Sequence, residues 1–333
     1  MSLILAVDAG GTSTRAVVVD PSGRALGYGR GGGGNPLSSG PAVAAQSLGT
    51  AVRDALAQAR TDAATIASAT IAMAGAATHL PPSQARNRVI GETLAGCGVT
   101  TAFALRSDLL AMFCAGTPAL DGYALGAGTG AAAIRVRAGA IEHVVDGMGW
   151  LLGDAGSGFS VGHAVARAVV AALDGRGPAT AMTAGMLDML GLSAETATST
   201  GPRHPLLDAM VELLYERPPV RVAEFAPLAF AYPDDVVARA IVDDTAAALA
   251  HTVAAAIAPD VDGPLVLGGS VLIRQEATAK AVESAWRDHG RTGPVRLVAE
   301  GTTGAAVLAL RHAGTEVDDA VFARVQQSLA GLR

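Results

Sequence analysis

The fold of this chain is decided near its start, by the segment Leu3-Ile-Leu-Ala-Val-Asp8-Ala-Gly-Gly11-Thr-Ser-Thr-Arg15-Ala-Val-Val-Val-Asp20. Two apolar runs flank a turn of glycines and hydroxyl residues, which predicts a strand, a tight turn and a second strand. Gly10 and Gly11 let the backbone bend and leave its N–H groups uncovered, and such groups beside hydroxyls suit phosphate oxygens. Asp8, at the end of a buried strand, is placed to orient Mg²⁺ through its waters. Taken alone, the segment fits an ordinary glycine hairpin equally well.

Composition excludes several classes of function. The chain has 333 residues, enough for two domains, and half of them are apolar while 16% are charged. The net charge is −6 and no basic tract occurs, which argues against a nucleic-acid partner. No purely apolar run is long enough for a membrane span and no basic leader precedes Leu3, so we expect a cytoplasmic protein without a membrane partner. Cys97 and Cys114, the only cysteines, are typical of a reducing compartment.

The lysine content limits how this chain can hold a nucleotide. Lys280 is the only lysine, and it lies in a predicted helix. A P-loop needs a lysine directly after its second glycine, and a protein kinase needs one in a strand. A nucleoside triphosphate would therefore be held by backbone N–H groups, hydroxyls and a metal.

The order of the predicted elements indicates an α/β protein made of two similar halves. For the first half we expect helices over 42–60, from Pro81 and from Ser107-Asp108, and strands over 3–8, 14–20, 24–30, 66–73 and 101–105. The pattern restarts at Asp121 with a strand, the turn Gly128-Thr129-Gly130, a second strand to Val136 and a third over 139–145. Helices follow, with one further strand over 264–268 and surface loops over 174–180 and 196–206. Two such halves would face each other across a cleft, each with a phosphate-binding turn.

Seven motifs occur in one order over residues 1–310: Val7-Asp8-Ala-Gly-Gly-Thr-Ser-Thr14, Gly34-Asn35-Pro36, Ile71-Ala-Met-Ala-Gly75, Ser107-Asp108, Gly128-Thr129-Gly130, Gly149-Trp-Leu-Leu-Gly-Asp154-Ala-Gly-Ser-Gly158 and Leu267-Gly-Gly-Ser270. In this order they resemble the actin-like ATPase superfamily of sugar kinases and heat-shock-type ATPases. Within it, the chain is most similar to the N-acetylglucosamine kinase and BadF/BadG ATPase family. The resemblance implies two actin-like (ribonuclease H-like) domains facing across a nucleotide and sugar cleft, one of residues 1–115 plus 314–333 and the other of residues 116–313.

The resemblance also implies a binding site for ATP and Mg²⁺. It assigns Asp8 to the metal and assigns the nucleotide to three turns: Gly10, Gly11, Thr12, Ser13 and Thr14; Gly128, Thr129 and Gly130; and Gly268, Gly269 and Ser270. Each turn is also compatible with a purely structural role, as a hairpin or a strand-to-helix connection.

For the acceptor, the resemblance implies that Asp108 is the general base for a sugar hydroxyl. The residue is equally suited to capping a helix together with Ser107. Asn35, Asp154, Gly149 and Thr129 are expected to bind the sugar. Asp154 also fits a helix N-cap, and Asn35 also fits a turn before Pro36.

The implied activity is ATP-dependent phosphorylation of the 6-hydroxyl of an amino sugar. The family often has Trp where Met148 stands and Glu where Ala155 stands. Loss of an aromatic wall leaves less apolar surface for an acetyl methyl, which slightly favours glucosamine over N-acetylglucosamine. The alternatives are a BadF-type ATPase activator without kinase activity, and a filament or sensor protein. The small-residue helices near 160–173 and 181–192 suggest a homodimer.

Overall fold

A computed structural model describes residues 2–74, 84–193 and 201–333. Within these ranges ten strands form two five-stranded sheets. The strands are β1 Leu3–Ala9, β2 Thr14–Val19, β3 Ala25–Gly31, β4 Ile66–Met73, β5 Phe103–Ser107, β6 Gly122–Ala127, β7 Ala131–Arg137, β8 Ala140–Asp146, β9 Leu265–Gly268 and β10 Val295–Val298.

Helices connect the strands and cover the sheets. They are α1 Pro36–Ser39, α2 Pro41–Ala59, α3 Gln84–Gly96, α4 Asp108–Gly116, α5 Gly158–Leu173, α6 Met182–Leu190, α7 Pro205–Tyr215, α8 Ala226–Ala231, α9 Val236–Ala256, α10 Ser270–Arg274, α11 Glu276–Asp288, α12 Thr302–His312 and α13 Asp319–Ala330, with 3₁₀ turns at Ala63–Thr65 and Pro219–Phe225. Across the described residues, no helix combines the length and the apolar character needed to cross a bilayer.

The two sheets have the same topology, which confirms the predicted repeat. The first has the order β3-β2-β1-β4-β5 and the second, read from its other edge, β8-β7-β6-β9-β10. In each, the first strand pairs antiparallel with the second and parallel with the fourth. The carboxyl ends of the parallel strands therefore lie at one edge of each sheet, where ligands bind in open α/β sheets.

The central strands of each sheet are buried on both faces, whereas the edge strands β8 and β10 are partly exposed. Helices α2 and α3 cover one face of the first sheet, and α9 and α11 cover one face of the second. Tyr123 of β6 packs edge-on against Trp286 of α11 with ring centroids 4.9 Å apart. Both rings are fully buried, so Trp286 anchors α11 on the second sheet. Helices α5 to α9 form a further apolar cluster beside the second sheet.

The inner faces of the two sheets are joined by two crossing helices. Helix α4 follows β5 of the first sheet but packs on the second, and α12 follows β10 of the second sheet but packs on the first. They cross at Gly304, where a Cβ would lie 1.6 Å from the Ala111 carbonyl oxygen. Only glycine permits this approach, and a side chain there would force the helices apart. The predicted border after residue 313 assigns α12 to the second domain, whereas its packing joins it to the first sheet.

Three details differ from the sequence-based expectation. Strand β10 was not predicted, since its four residues lie at a sheet edge and are partly exposed, with Arg296 interrupting the apolar pattern. Strand β5 begins at Phe103 and extends to Ser107, two residues later than expected. Helix α7 begins at Pro205, within the loop expected over 196–206. Residues 196–200 of that loop, the Pro81-Pro82 helix start and Gly75 lie outside the described residues.

Candidate active site

The first turn follows β1 and presents its tip to solvent. Gly11 and Thr12 are exposed, and their amides donate no hydrogen bond to another described residue. Thr14 is fully buried, and its hydroxyl donates to the Gly32 carbonyl over 2.9 Å. The Gly34 amide donates to the Gly10 carbonyl over 2.9 Å, which brings the start of the Asn35 loop against the turn. The tip is thus open to an anion, while Thr14 holds the neighbouring glycine loop in place.

Asp8 lies at the carboxyl end of β1, where the two sheets meet. Its Oδ2 accepts a 3.0 Å hydrogen bond from the Gly301 amide, between β10 and α12. Arg15, its cross-strand partner on β2, places Nη1 3.8 Å from the same oxygen and Nε 3.3 Å from Glu300 Oε2. Burial raises the pKa of Asp8 to about 7, and the charges of Glu300 and Asp108 add to this, against Arg15 and the Gly301 amide.

Asp108 begins α4 at the same sheet edge. Ser107 is the helix N-cap, and its hydroxyl accepts a 3.1 Å hydrogen bond from the Leu109 amide. Ala9, Met73 and Ser107 are register partners across β1, β4 and β5, so the first turn and Asp108 are separated by about 10 Å at the usual strand spacing. Burial raises the pKa of Asp108, opposed by hydrogen bonds from backbone amides and Ser107. The Leu109 amide also donates to Asp108 Oδ1 over 2.9 Å, so the capping of this helix is shared with Ser107 and does not rest on the Asp108 carboxylate alone.

The second turn packs against the start of α5. The Gly158 amide donates to the Gly128 carbonyl over 2.7 Å, and the Phe159 amide donates to the Thr129 carbonyl over 3.2 Å. Asp154 Oδ1 accepts a 3.2 Å hydrogen bond from the Ala131 amide, directly after the turn. Thr129 and Gly130 remain exposed. The second turn and Asp154 therefore form one unit.

Asp146 holds the loop that carries Asp154. Its two oxygens accept hydrogen bonds from the Asp154 amide at 2.6 Å and the Ala155 amide at 2.8 Å. Asp146 and Asp154 have φ of 62° and 60°, and Gly149 between them has φ of 80°. Aspartate is one of the few residue types that adopt this left-handed conformation. Burial raises the pKa of Asp154, which the Ala131 amide lowers and the Asp146 charge raises further.

Helix α4 links the two turns. Leu109, the neighbour of Asp108, packs so closely on Gly126 of β6 that a Cβ there would lie 2.9 Å from Leu109 Cδ2. Gly269 has φ of 88°, and a Cβ on it would lie 2.4 Å from the Ala127 carbonyl group. The third predicted turn, Gly268 to Ser270, is thus in contact with the start of the second. The structure brings all the predicted nucleotide-binding turns and Asp108 to the region where the two sheets meet.

A sequence profile of the BadF/BadG/BcrA/BcrD ATPase family matches residues 5–309 of the chain. The chain belongs to this family. An N-acetyl-D-glucosamine kinase of Dictyostelium discoideum is 26% identical over 257 residues, which are 74% of this chain and 76% of that protein.

Solved structures share the fold of this BadF/BadG/BcrA/BcrD family member. A proposed N-acetylglucosamine kinase from Chromobacterium violaceum has a TM-score of 0.69 at 23% identity, over 93% of this chain and 99% of that chain. A ROK family glucokinase from Streptomyces griseus, in complex with glucose and AMPPNP, has a TM-score of 0.53 at 17% identity, over 93% of this chain and 100% of that chain. These likenesses confirm the expected actin-like α/β architecture.

The donors present in this family member fit a magnesium–nucleotide complex. Both contacts of Asp8 involve Oδ2, whereas Oδ1 accepts no hydrogen bond from the described residues. A Cβ on Gly128 would meet no atom within 4 Å, so there is room beside the second turn. No cluster of three or more His, Cys, Asp or Glu side chains is found in the described part of the chain. The available Asp8 Oδ1 suits Mg²⁺, which keeps several waters and binds through one or two carboxylates plus substrate phosphates.

Four residues of the site were not identified from the sequence: Arg15, Asp146, Glu300 and Gly301. Arg15 lies inside the opening segment and faces Asp8 across the hairpin, but its second partner, Glu300, is 285 positions away in the chain. The repeat offered a signal for Glu300 and Gly301, since it predicts a strand equivalent to β5 after β9. An acid and a glycine one residue beyond that strand, as in Glu300-Gly301, would then have marked the second half's counterpart of Ser107-Asp108.

Proposed function

We propose that this protein is an ATP:hexosamine 6-phosphotransferase, with glucosamine as the favoured acceptor and N-acetylglucosamine next. The observation that carries the proposal is the position of Asp108. It is a partly buried carboxylate at the sheet edge between the two turns, and its helix is already capped by Ser107. Its Oδ1 accepts the Leu109 amide over 2.9 Å, and in this proposal the carboxylate takes a proton from a hydroxyl brought between the turns.

The relatives support sugar phosphorylation. One is an N-acetyl-D-glucosamine kinase, and a structural neighbour holds glucose together with an ATP analogue. The family itself is described as ATPases, which agrees with the two glycine turns as nucleotide-binding elements.

The proposed reaction is an in-line phosphoryl transfer. The sugar 6-hydroxyl oxygen bonds to the γ-phosphorus of ATP, the bond from that phosphorus to the bridging oxygen breaks, and ADP leaves. Asp108 orients the hydroxyl and takes its proton as the new bond forms. The exposed amides of Gly11 and Thr12 donate to phosphate oxygens. Asp8 Oδ1 would hold Mg²⁺ through a water of its hydration shell, and the metal would supply neutralisation of phosphate charge.

The acceptor is held, in this proposal, by the loop around Asp154 and by Asn35. A buried carboxylate accepts hydrogen bonds from two sugar hydroxyls, and the Asn35 amide both donates and accepts. Thr129 and Gly149 contribute from the second turn and from the loop. The preference for glucosamine rests on Met148, which is 66% exposed and offers no aromatic wall to an acetyl methyl.

The cysteines argue against an iron–sulfur ATPase activator. Cys114 is fully buried in α4 and contacts Arg311, and burial raises its thiol pKa to about 11. Cys97 is partly buried against Gly49 and Arg53. A cluster ligand must be an accessible thiolate, so neither side chain is suited to bridging two subunits.

The decisive experiment measures ADP release with a panel of hexoses and amino sugars, with NMR of the product to locate the phosphate. We expect sugar-dependent turnover, fastest with glucosamine, and a loss of about 10²- to 10⁴-fold in kcat for Asp108→Asn. Asp319→Asn is the matched control, because Asp319 begins α13 directly after its N-cap Asp318, as Asp108 follows Ser107. Sugar-independent ADP release would refute the kinase assignment, and full activity of Asp108→Asn would refute the base.

A further inference from the structure

A chain of ionic contacts surrounds Asp8 and joins the two sheets. Arg15 of the first sheet contacts Asp8 through Nη1 and contacts Glu300, which follows β10 of the second sheet, through Nε. The three side chains are 21%, 9% and 15% exposed. At this depth solvent screens their interactions much less than at the surface.

Glu300 is itself fixed from two directions. The amide and hydroxyl of Thr302, in the first turn of α12, both donate to Glu300 Oε2, the amide over 3.3 Å. Arg333 donates to Glu300 Oε1. The next residue, Gly301, donates its amide to Asp8. The Gly301–Asp8 hydrogen bond links the two sheets. Arg15 contacts the acids that flank it, namely Asp8, which accepts the bond, and Glu300, which precedes Gly301.

The electrostatic balance depends on Arg15. Asp8 and Glu300 are two carboxylates in a partly buried region, and their charges raise each other's energy. A guanidinium presents several N–H donors in one rigid plane, so a single Arg15 faces both acids. A lysine has a single charged nitrogen and cannot reproduce both contacts.

We propose that Arg15 and Glu300 are positioning residues for Asp8, which keep its Oδ1 directed at the Mg²⁺ of a bound nucleotide while they join the second sheet to the first. The inference rests on one part of the proposed function, the binding of a magnesium–nucleotide complex. It does not depend on whether a sugar is phosphorylated. Neither residue needs to touch the nucleotide, since both act through the placement of Asp8 and of the Gly301 amide.

Calorimetric titration with ADP, in Mg²⁺ and in EDTA, tests the proposal without any turnover. Partners of this kind typically contribute 10- to 100-fold to metal affinity. We expect Arg15→Gln and Glu300→Gln each to raise the Kd for ADP in Mg²⁺ roughly tenfold and to leave the Kd in EDTA unchanged. If the two residues act as one unit, the Kd of the double variant for ADP in Mg²⁺ should be no higher than that of the more strongly affected single variant.

Two further variants separate positioning from structural damage. Arg135→Gln breaks the 2.6 Å Arg135–Glu142 pair on β7 and β8, in which the arginine is 17% exposed and the glutamate 33%, and should leave both Kd values unchanged. Arg15→Lys keeps the positive charge but only one of the two contacts. Its Kd for ADP in Mg²⁺ should therefore lie between that of Arg15→Gln and that of the unaltered protein. Glutamine has nearly the same shape as glutamate, so Glu300→Gln tests the effect on ADP binding even if Arg15→Gln does not fold.

Several outcomes overturn the proposal. Equal weakening in Mg²⁺ and in EDTA would indicate loss of structure, and additive single effects would show that the residues do not act together. An unaltered protein that binds ADP no more tightly with Mg²⁺ would refute it outright. If the variants change ADP binding as expected but the unaltered protein phosphorylates no sugar, only the sugar kinase assignment is refuted.

Discussion

Gly301 donates its backbone N–H to Asp8 Oδ2 over 3.0 Å, although 293 positions separate the two residues in the chain. The bond connects the segment after β10 in the second sheet to the end of β1 in the first. It lies beside the first glycine turn and at the start of α12, which is buried along nine residues. The geometry of Asp8 is thus set jointly by both halves of the repeat.

Replacing Gly301 by alanine should move the Asp8 carboxylate. A Cβ on Gly301 would lie 3.0 Å from Asp8 Cγ and Oδ2 and 3.1 Å from Oδ1, closer than normal contact. The Gly301 φ of −90° suits alanine, so Asp8 and not the backbone has to move. We expect Gly301→Ala to lower kcat/KM for Mg·ATP roughly tenfold with little change in Tm. Gly96→Ala, at the end of α3 with no atom within 4 Å of its Cβ, is the control and should be fully active.

The raised pKa of Asp108 predicts a cost in stability at neutral pH. The folded chain binds the Asp108 proton more tightly than the unfolded chain, whose value is near 3.8. Stability from this group is therefore complete below pH 3.8 and is lost as the pH rises through the folded pKa. Asp108→Asn should have a higher Tm than the unaltered protein at pH 7.5, and the difference should shrink as the pH falls toward 4.

The control variant for this prediction should change the stability at neutral pH in the opposite direction. Arg176 lowers the pKa of Asp174 through a hydrogen bond, so Asp174→Asn should lose a little stability at neutral pH. Scanning fluorimetry from pH 8 to pH 4 measures both variants. An Asp108→Asn protein less stable than the unaltered chain at pH 7.5 would show that the Asp108 carboxylate contributes more to the fold than its burial costs.

The parts of the fold visible in the sequence are those set by neighbouring residues. Gly10-Gly11 and Gly128-Thr129-Gly130 each stand between two apolar runs, and both runs became strands of one hairpin. Local pattern placed Asp8 at the end of a strand, whereas it placed Asp108 only at the start of a helix, because the preceding strand was expected to end at residue 105 and ends at Ser107. The repeat of this pattern was sufficient to predict two similar halves.

The parts that escaped prediction depend on residues far apart in the chain. Strand β10 is too short and exposed to produce a periodic signal, so Glu300 and Gly301 had no visible context. The exchange of α4 and α12 between the sheets depends on their crossing at Gly304, which no local pattern reveals. Asp146 has a left-handed backbone conformation, which aspartate adopts too seldom to be predicted.

Removal of the Asp146 carboxylate should weaken sugar binding selectively. It accepts hydrogen bonds from the amides of Asp154 and Ala155, so Asp146→Ala frees the loop that carries Asp154. We expect KM for the sugar to rise about tenfold, with KM for ATP nearly unchanged. Asp121→Ala is the control, because Asp121 accepts a 2.6 Å hydrogen bond from Ala138 at the β7–β8 turn, another left-handed position. A parallel rise of both KM values would contradict a role confined to the sugar loop.

An aromatic side chain at position 148 should shift the choice of sugar. Met148 is 66% exposed in the loop between Asp146 and Asp154, and a tryptophan there would supply an apolar wall for an acetyl methyl. One methyl group in an apolar contact changes discrimination by about 10-fold or more. We therefore expect Met148→Trp to raise the ratio of kcat/KM for N-acetylglucosamine over glucosamine about tenfold. Leu151→Trp, at a 75% exposed position of the same loop, controls for added apolar surface and should leave the ratio unchanged. Equal shifts in both variants would show that the loop's general apolarity, and not position 148, selects the substituent at carbon 2.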